Sequence, residues 1–576
     1  MTVMTPQTPT PVPALQATAP YRTPRGPQPL DLFLDGNEGP AWSNSPGLRR
    51  SRRYPNQRPL QEKLAKRFGV DVERVFLSAG GDEALDRICR GYLAPDRVAV
   101  MHAPGFEMVG RYVRLTGAAL REVPWKDGIF PADAFAEAVA DANASVAFLT
   151  SPNNPTGQGI ATDVLVKVAR QRPQTLWVVD LAYVEFANED PTAQLLQLPN
   201  VVIVRTMSKG WGLAGLRLGI TFAAPSVVQV LKAAGSPYPV SQLSLDAAAD
   251  ALDDEAAMRR GVARVQGERA SLTAQLTALG CNVLPSEANF IMVDSLATQE
   301  VRWLQDACAA LGVGVRAFGG RAGLEDAVRI SCPGDDALFA RLSTTLQTAL
   351  RPQAVLFDMD GVLANVSTSY RACIRETAAA FGVEVTEGDV VVAKAKGNAN
   401  DDWALTQKLI LAKGGTASLA DVTSVFESLY QGGGEQPGLR MTESLLVDKP
   451  TLVALKAKLP LAVVTGRPRQ DAQFFLERFG LADVFDVVVA REDAPKLKPD
   501  PAPVLQAMKL LGVERAWMLG DTPDDVRAAK AAGVVGVGAV PRDALDDDSA
   551  ARLLAVGAAR VWTAESAVEL LLEVLP

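Results

Sequence analysis

Short apolar runs alternate with amphipathic stretches from Leu30 to about Leu350. RVFLSAG (74–80), DRVAVM (96–101), SVAFLTS (145–151), LWVVDLA (176–182) and VVIVRT (201–206) are too short for buried helices and rich in β-branched residues, which predicts strands. With helical stretches between them, they predict an α/β domain with a largely parallel sheet. A helical stretch around Asp246 to Leu279 leads into CNVLPSEANFIMVD, VGVRAF and AVRISC, read as the strands of a smaller α+β lobe. Arg351-Pro352-Gln353 then breaks the helix ending near Leu350, since proline fixes its φ and cannot continue it. A second α/β pattern begins at once, with strands AVLF, LAVVT, VVVA, AWMLG and VVGVG. About 90 mostly helical residues separate its first two strands, too many for a loop, and they predict a cap over about 366–455. The expected domains are therefore 30–350 and 354–576, after a Thr-, Pro-, Gln- and Ala-rich tail over 1–29 with no charge before Arg22, read as disordered.

A length of 576 residues agrees with two or more cores. The net charge of −8 argues against nucleic acid or an anionic membrane as partner. No apolar run reaches the roughly 18 residues of a membrane span, and the tail lacks the features of a signal peptide. Five scattered cysteines, without a C-x-x-C pair, read as reduced thiols of a cytoplasmic protein. The chain has one histidine, His102, expected in an ordinary βα loop after RVAVM. Histidine-based zinc sites and Ser–His triads are thereby nearly excluded, so the chemistry falls to lysine, carboxylates or a bound cofactor.

The candidate lysine is Lys209. It follows the strand VVIVRT inside a glycine-rich turn, where partial desolvation would lower its pKa and suit it to Schiff-base chemistry. Thr206, Ser208 and Arg217 offer hydroxyls and a guanidinium to a phosphate. Asp180 ends LWVVD, at a sheet edge where a carboxylate can pair with a protonated pyridine nitrogen; helix capping explains it equally well when taken alone. Ser78-Ala79-Gly80-Gly81-Asp82-Glu83 puts small residues at a helix start, whose free N–H groups suit phosphate.

Together these residues resemble the fold-type-I aminotransferases that use pyridoxal phosphate, and most closely the histidinol-phosphate aminotransferases. LDGNEGP (34–40), RYPN (53–56), SAGGDEAL, PGFEM (104–108), SPNNPTG, DLAY, RTMSKGWGLAGLRLG, PSEANF (285–290) and VRIS (328–331) carry the resemblance. It implies a large three-layer α/β domain with a small α+β lobe. Lys209 would carry the cofactor and act as general acid and base. Asp180 would bind the ring nitrogen, Asn154 and Tyr183 the ring oxygen, and Phe106 would stack on the ring. Gly81, Asp82, Thr206, Ser208 and Arg217 would hold the phosphate. Tyr54 would reach the cofactor of a neighbouring subunit, which implies a homodimer. Arg316 and Arg329 would grip the anionic end of the substrates, with glutamate and 2-oxoglutarate as one pair, and Asn37 would lie by the substrate. Three departures stand out: Asn37-Glu38-Gly39-Pro40 where the family has Asn-Glu-Asn-Pro, Asp180-Leu181-Ala182-Tyr183 where it has Asp-Glu-Ala-Tyr, and Phe106 where tyrosine is common.

In the second domain Asp358 and Asp360 end an apolar strand. Carboxylates at i and i+2 offer a nucleophile, a proton carrier and part of a hard-cation site. Asp521 and Asp525 follow a second strand, Thr465-Gly466 a third, and KLKPDP supplies Lys498. This order resembles the haloacid dehalogenase superfamily over 354–576, a Rossmann-like domain with a helical cap. The resemblance makes Asp358 the nucleophile and Asp360 the acid and base of a phosphatase. Thr465, Gly466 and Lys498 would bind the phosphoryl group. Mg²⁺ would be held by Asp358, Asp521 and the Met359 or Asp360 carbonyl, with Asp525 in support. The cap stretch 396–409 is the expected substrate-selecting segment. Joined, the two halves imply consecutive steps of histidine biosynthesis, from imidazole-acetol phosphate to histidinol phosphate and then histidinol. Two alternatives stay open: another aromatic or phosphorylated oxo substrate with an unrelated phosphatase, or a regulatory C-terminal domain.

Overall fold

The computed structural model describes residues 9–16, 51–294, 296, 298–395, 401–433 and 436–575. Asn37 and the stretch 34–40 lie outside them, as do residues 396–400 of the expected substrate-selecting segment. The chain packs as two compact units, one of Met1–Leu296 and Phe318–Phe339, the other of Ala297–Ala317 and Ala340–Pro576.

The first unit is built on seven strands: β1 (Val75–Ser78), β2 (Val98–Ala103), β3 (Ala119–Pro124), β4 (Val146–Thr150), β5 (Leu176–Asp180), β6 (Val201–Thr206) and β7 (Gly219–Phe222). Their order is β1-β7-β6-β5-β4-β2-β3, parallel except for β7, which runs antiparallel to both neighbours. Side chains alternate between two cores, one on each face of the sheet. Trp177, Val179, Val201 and Ile203 enter one, while Leu176, Val178, Val202 and Val204 enter the other. Burial on both faces is why these strands read as unbroken apolar runs.

β3 and β7 escape that reading. β3 is a largely exposed edge strand, and β7 has only four residues beginning at a glycine. His102 is a strand residue rather than a loop residue, the fifth of β2, and it is buried. The supposedly disordered tail is also corrected in part. Residues 13–16 form one turn of helix, and Val12 N–H donates to Gly91 O at 2.8 Å while Arg97 binds the carbonyls of Thr10 and Pro11. Backbone partners, rather than composition, order that piece.

The small lobe contributes an antiparallel sheet of Asn282–Leu284, Phe290–Asp294 and Val328–Ser331. The helical stretch before it is two helices, Gln242–Asp253 and Glu255–Ala278, separated by Asp254, whose side chain accepts from Ala257 N–H.

The second unit holds a six-stranded parallel sheet ordered Val487–Val489, Leu461–Val464, Ala354–Phe357, Ala516–Gly520, Val535–Val540, Val561–Thr563. The last strand, VWT, is half-buried and too short to announce itself. Four helices, Tyr370–Ala380, Glu387–Ala395, Asp402–Ala412 and Leu419–Gln431, form the cap. The connecting strands Ala364–Asn365 and Ser444–Leu445 pair antiparallel where the chain enters and leaves it. Arg351-Pro352-Gln353 lies inside this unit, because the helices before it pack there. Trp303 lies 4.5 Å from Trp517, and their indole N–H groups donate to Ala349 O and Thr348 O. Among the described residues no helix is long and apolar enough to cross a membrane, and all five cysteines are free.

Candidate active sites

Parallel strands bring their C-terminal ends to one edge, where the following loops converge. In the first unit that edge carries a cavity of about 130 Å³. Its lining includes Gly81, Asp82, Phe106, Asn154, Asp180, Tyr183, Thr206, Ser208, Lys209 and Arg217, so ten residues singled out along 137 positions of chain meet around one space.

Asp180 lies at the end of β5, where Oδ1 accepts from Ala182 N–H at 3.0 Å. Burial pushes its carboxyl up to about 6. A carboxylate this buried calls for a cationic partner. Lys209 is half-buried, with Nζ 5.4 Å from the centre of the Tyr183 ring. Burial lowers its pKa, and the nearby Arg329 charge adds to that. Tyr183 packs edge-on against Phe290 at 5.3 Å, and burial pushes its phenol up to about 12. Arg329 donates to Asn154 Oδ1 at 2.6 Å.

The hydroxyls of Thr206 and Ser208 stand 2.9 Å apart, and Arg217 Nη2 reaches Asp82 Oδ2 at 3.1 Å. Gly81 and Asp82 sit in the first turn of the helix Gly80–Tyr92, whose opening N–H groups are anion donors. A Cβ at position 80 would stand 2.5 Å from Arg217 Nη2, so only glycine lets the guanidinium lie over this turn. Hydroxyls, helix N-terminus and guanidinium together offer the donors that a phosphate would need. With a buried carboxylate and a lysine amine across the same space, the donor set fits pyridoxal phosphate.

Two expected residues stand apart from this cavity. Tyr54 is 48% exposed and stacks on Tyr238 at 4.6 Å, and Arg316 is exposed. A larger cavity of about 440 Å³ has no lysine among its described lining residues. Its charges are largely spent on one another, in Arg205–Glu185, Arg205–Asp190 and Arg67–Glu255 pairs.

In the second unit Asp358 follows the strand Ala354–Phe357, buried, with its N–H on Leu519 O at 2.8 Å. Lys498 Nζ lies 2.7 Å from Asp358 Oδ1, 2.6 Å from Asp525 Oδ1 and 3.0 Å from Val464 O. Burial pushes the Asp358 carboxyl well up, while the Lys498 charge pulls it back. Carboxylate oxygens of Asp358, Asp521 and Asp525 lie within 4.8 Å of one another. Burial first, then the Asp525 charge, pushes Asp521 up to about 7. Three crowded carboxylate oxygens suit a hard divalent cation, while the Lys498 ammonium offsets part of their charge.

Asp525 also caps the helix Pro523–Ala531, accepting from Thr522 N–H at 3.0 Å. The Asp360 side chain is not in the metal group: it takes a hydrogen bond from Arg467 Nε at 2.6 Å. Thr465 is buried, and its Oγ1 accepts from Arg467 N–H at 3.1 Å; Gly466 between them is half-buried.

The family described as "Aminotransferase class I and II" matches residues 43–346. The chain belongs to the class I and II aminotransferases. Beyond that domain this aminotransferase continues into a second one, matched by "haloacid dehalogenase-like hydrolase" over residues 352–533. It is thus a transferase joined to a hydrolase. A histidinol-phosphate aminotransferase of Stenotrophomonas maltophilia (strain R551-3) is 37% identical over 349 residues, 58% of this chain and 95% of that protein. An imidazoleglycerol-phosphate dehydratase of Phytophthora nicotianae is 48% identical over 194 residues, 32% of this chain, which spans only 43% of that relative. Among solved structures, a Sinorhizobium meliloti histidinol-phosphate aminotransferase in complex with pyridoxal-5'-phosphate is 28% identical, covering 52% of this chain and 83% of its own, with a TM-score of 0.49.

For the aminotransferase half, motif reading singled out most of the cavity lining. For the hydrolase half it missed Arg467 and Glu443. Arg467 stands directly after Thr465-Gly466, a position that could have marked it. Glu443 offers no such signal, because only folding brings it 3.1 Å from that guanidinium.

Proposed function

We propose that this chain carries out two consecutive reactions of histidine biosynthesis. The first is glutamate-dependent amination of imidazole-acetol phosphate to histidinol phosphate, and the second is hydrolysis of that phosphomonoester. What carries the proposal is the coupling of chemistries: one half has an amine and a phosphate cradle, the other a paired-aspartate phosphoryl site. The names of the relatives supply the substrate.

Bound pyridoxal phosphate supplies the electron sink for the carbanion at the amino acid Cα. Asp180, as carboxylate, holds the ring nitrogen protonated; Asn154 and Tyr183 bind the ring oxygen and Phe106 covers the ring. Lys209 would hold the cofactor through its amine and, with its pKa lowered by burial, would carry the proton from Cα. Arg329, which donates to Asn154 Oδ1, binds the anionic end of either substrate. Tyr54, exposed and clear of its own cavity, contributes to the phosphate site of a second copy in a homodimer.

In the other half a carboxylate oxygen of Asp358 bonds to phosphorus as the ester P–O bond breaks, and the Asp360 proton passes to the leaving alkoxide. Water then attacks phosphorus, gives its proton to Asp360, and inorganic phosphate leaves Asp358. Lys498, Thr465 and Gly466 bind the phosphoryl oxygens. Asp358 and Asp521 would hold Mg²⁺, supported by Asp525 and a carbonyl of Met359 or Asp360.

The test is phosphate release from histidinol phosphate with Mg²⁺. Wild type should release it, while Asp358→Asn, lacking the nucleophile, should fall by at least about 10³-fold. Absence of release by wild type would remove the second reaction from the pathway.

A further inference from the structure

Arg467 is wholly buried, with its side chain at 0% exposure. A guanidinium in that position is tolerated only when its donors are answered by charge and hydrogen bonds. Its partners come from two sides. On the core side, Nε donates to Asp360 Oδ1 at 2.6 Å. On the cap side, Nη1 donates to Tyr430 OH and Glu443 Oε2, and Nη2 to Glu443 Oε1, each at 3.1 Å. Glu443 is itself buried and accepts from Ser369 Oγ at 2.8 Å and Tyr430 OH at 3.2 Å. The Tyr370 ring lies 4.8 Å from the guanidinium carbon, and the Phe475 ring 5.4 Å.

These partners have a meaning in the chain path. Ser369 and Tyr370 stand where the chain enters the cap, and Glu443 stands where it returns, next to the paired strands Ala364–Asn365 and Ser444–Leu445. One guanidinium therefore ties both crossings to a single carboxyl oxygen of Asp360. That side chain keeps 22% exposure, so the carboxyl stays reachable. The partners given above for the nucleophile are different ones: Asp358 leans on Lys498.

We propose that Arg467 is the positioning residue for Asp360, fixing the orientation of the proton-carrying carboxyl and making it depend on the two crossings into the cap. The inference rests on the phosphatase reading above. In that reading the Asp360 proton goes to the leaving oxygen as the Asp358 oxygen–phosphorus bond forms and the ester bond breaks. An alkoxide leaves poorly without that proton, whereas 4-nitrophenolate leaves readily without it. Water activation by Asp360 is common to both esters and enters kcat, whereas kcat/KM reports only the step in which the leaving group departs. Misplacing Asp360 should therefore lower kcat/KM for the first kind of ester alone; general structural damage should lower it for both.

The experiment compares full-length wild type, Arg467→Lys and Glu443→Gln with Mg²⁺, on histidinol phosphate (glycerol 3-phosphate if that is refused) and on 4-nitrophenyl phosphate. For Arg467→Lys, kcat/KM on the alkyl ester should fall about 10- to 100-fold, part of the roughly 10²- to 10⁴-fold that a positioned acid contributes. On the aryl ester kcat/KM should stay within about threefold. Glu443→Gln keeps the Arg467–Asp360 contact but loosens the cap's hold, and should show the same selective loss, smaller. It decides the matter alone if Arg467→Lys does not fold. Equal losses of kcat/KM on both esters, or none on either, overturn the proposal. A wild type that hydrolyses no alkyl ester overturns the phosphatase reading, and the proposal with it.

Discussion

The ring of His102 is held by two backbone groups of opposite kind. Thr150 N–H donates to Nε2 at 3.1 Å, and Nδ1 stands 3.3 Å from Pro104 O. An accepting Nε2 carries no proton, so the neutral tautomer with the proton on Nδ1 satisfies both contacts, as assigned from the hydrogen-bond network. A second proton would meet the Thr150 N–H head on. Burial drives the pKa down to about 4, against the pull of the Pro104 carbonyl. An unfolded histidine titrates near 6.5. As pH falls between these values the unfolded chain binds a proton that the folded one refuses, so stability is lost, by up to about 3 kcal/mol. Asp180 works oppositely in the cofactor-free protein: its folded pKa of about 6 lies above the unfolded value, so it adds stability as pH falls through 6. The measure is therefore the difference between wild type and His102→Gln in chemical denaturation at pH 7.5 and 4.5. Wild type should lose more stability than the variant; equal losses would show that His102 does not titrate this way.

At the scale of elements, β7 decides the geometry of the first site. Gly219 pairs with Ser78 on one side and Thr206 on the other. A Cβ there would stand 2.4 Å from Gly80 O and 2.6 Å from Ser78 Oγ. The obstacle is backbone at the start of the phosphate-facing helix, which cannot swing aside as a long side chain could. Gly219→Ala should destabilise the domain by about 1–3 kcal/mol, the usual range for overpacking, and weaken pyridoxal phosphate binding. Thermal unfolding with and without cofactor and a fluorescence titration would check both; an unchanged melting temperature and cofactor affinity would refute it. The same strand shows where sequence reading fails. β7 has a partner on each side because of tertiary pairing, and GITF alone carries too few residues for any period to register.

For the whole molecule, the two sets of reacting groups lie in separate compact units. Groups without shared partners act additively to within about twofold. Lys209→Ala should abolish transamination while phosphatase kcat/KM stays within about twofold, and Asp358→Asn should do the reverse. Paired assays on each purified variant would check this, and loss of both activities from either substitution would refute it.

The sequence by itself determined the two α/β patterns, the cap between them, and the residue types at each strand end. Strands buried on both faces must be apolar throughout, and the polar residues that interrupt them mark the edge where loops and ligands meet. That is why Lys209, Asp180, Asp358 and Asp521 were legible along the chain. Only the tertiary structure decided which distant groups answer one another. Arg329 meets Asn154 across 175 positions, Arg467 meets Asp360 across 107, and the helices before Arg351 pack with the second unit. Such pairings leave no periodic trace, because hydrogen bonds and buried charges are satisfied by proximity in space rather than by spacing along the chain.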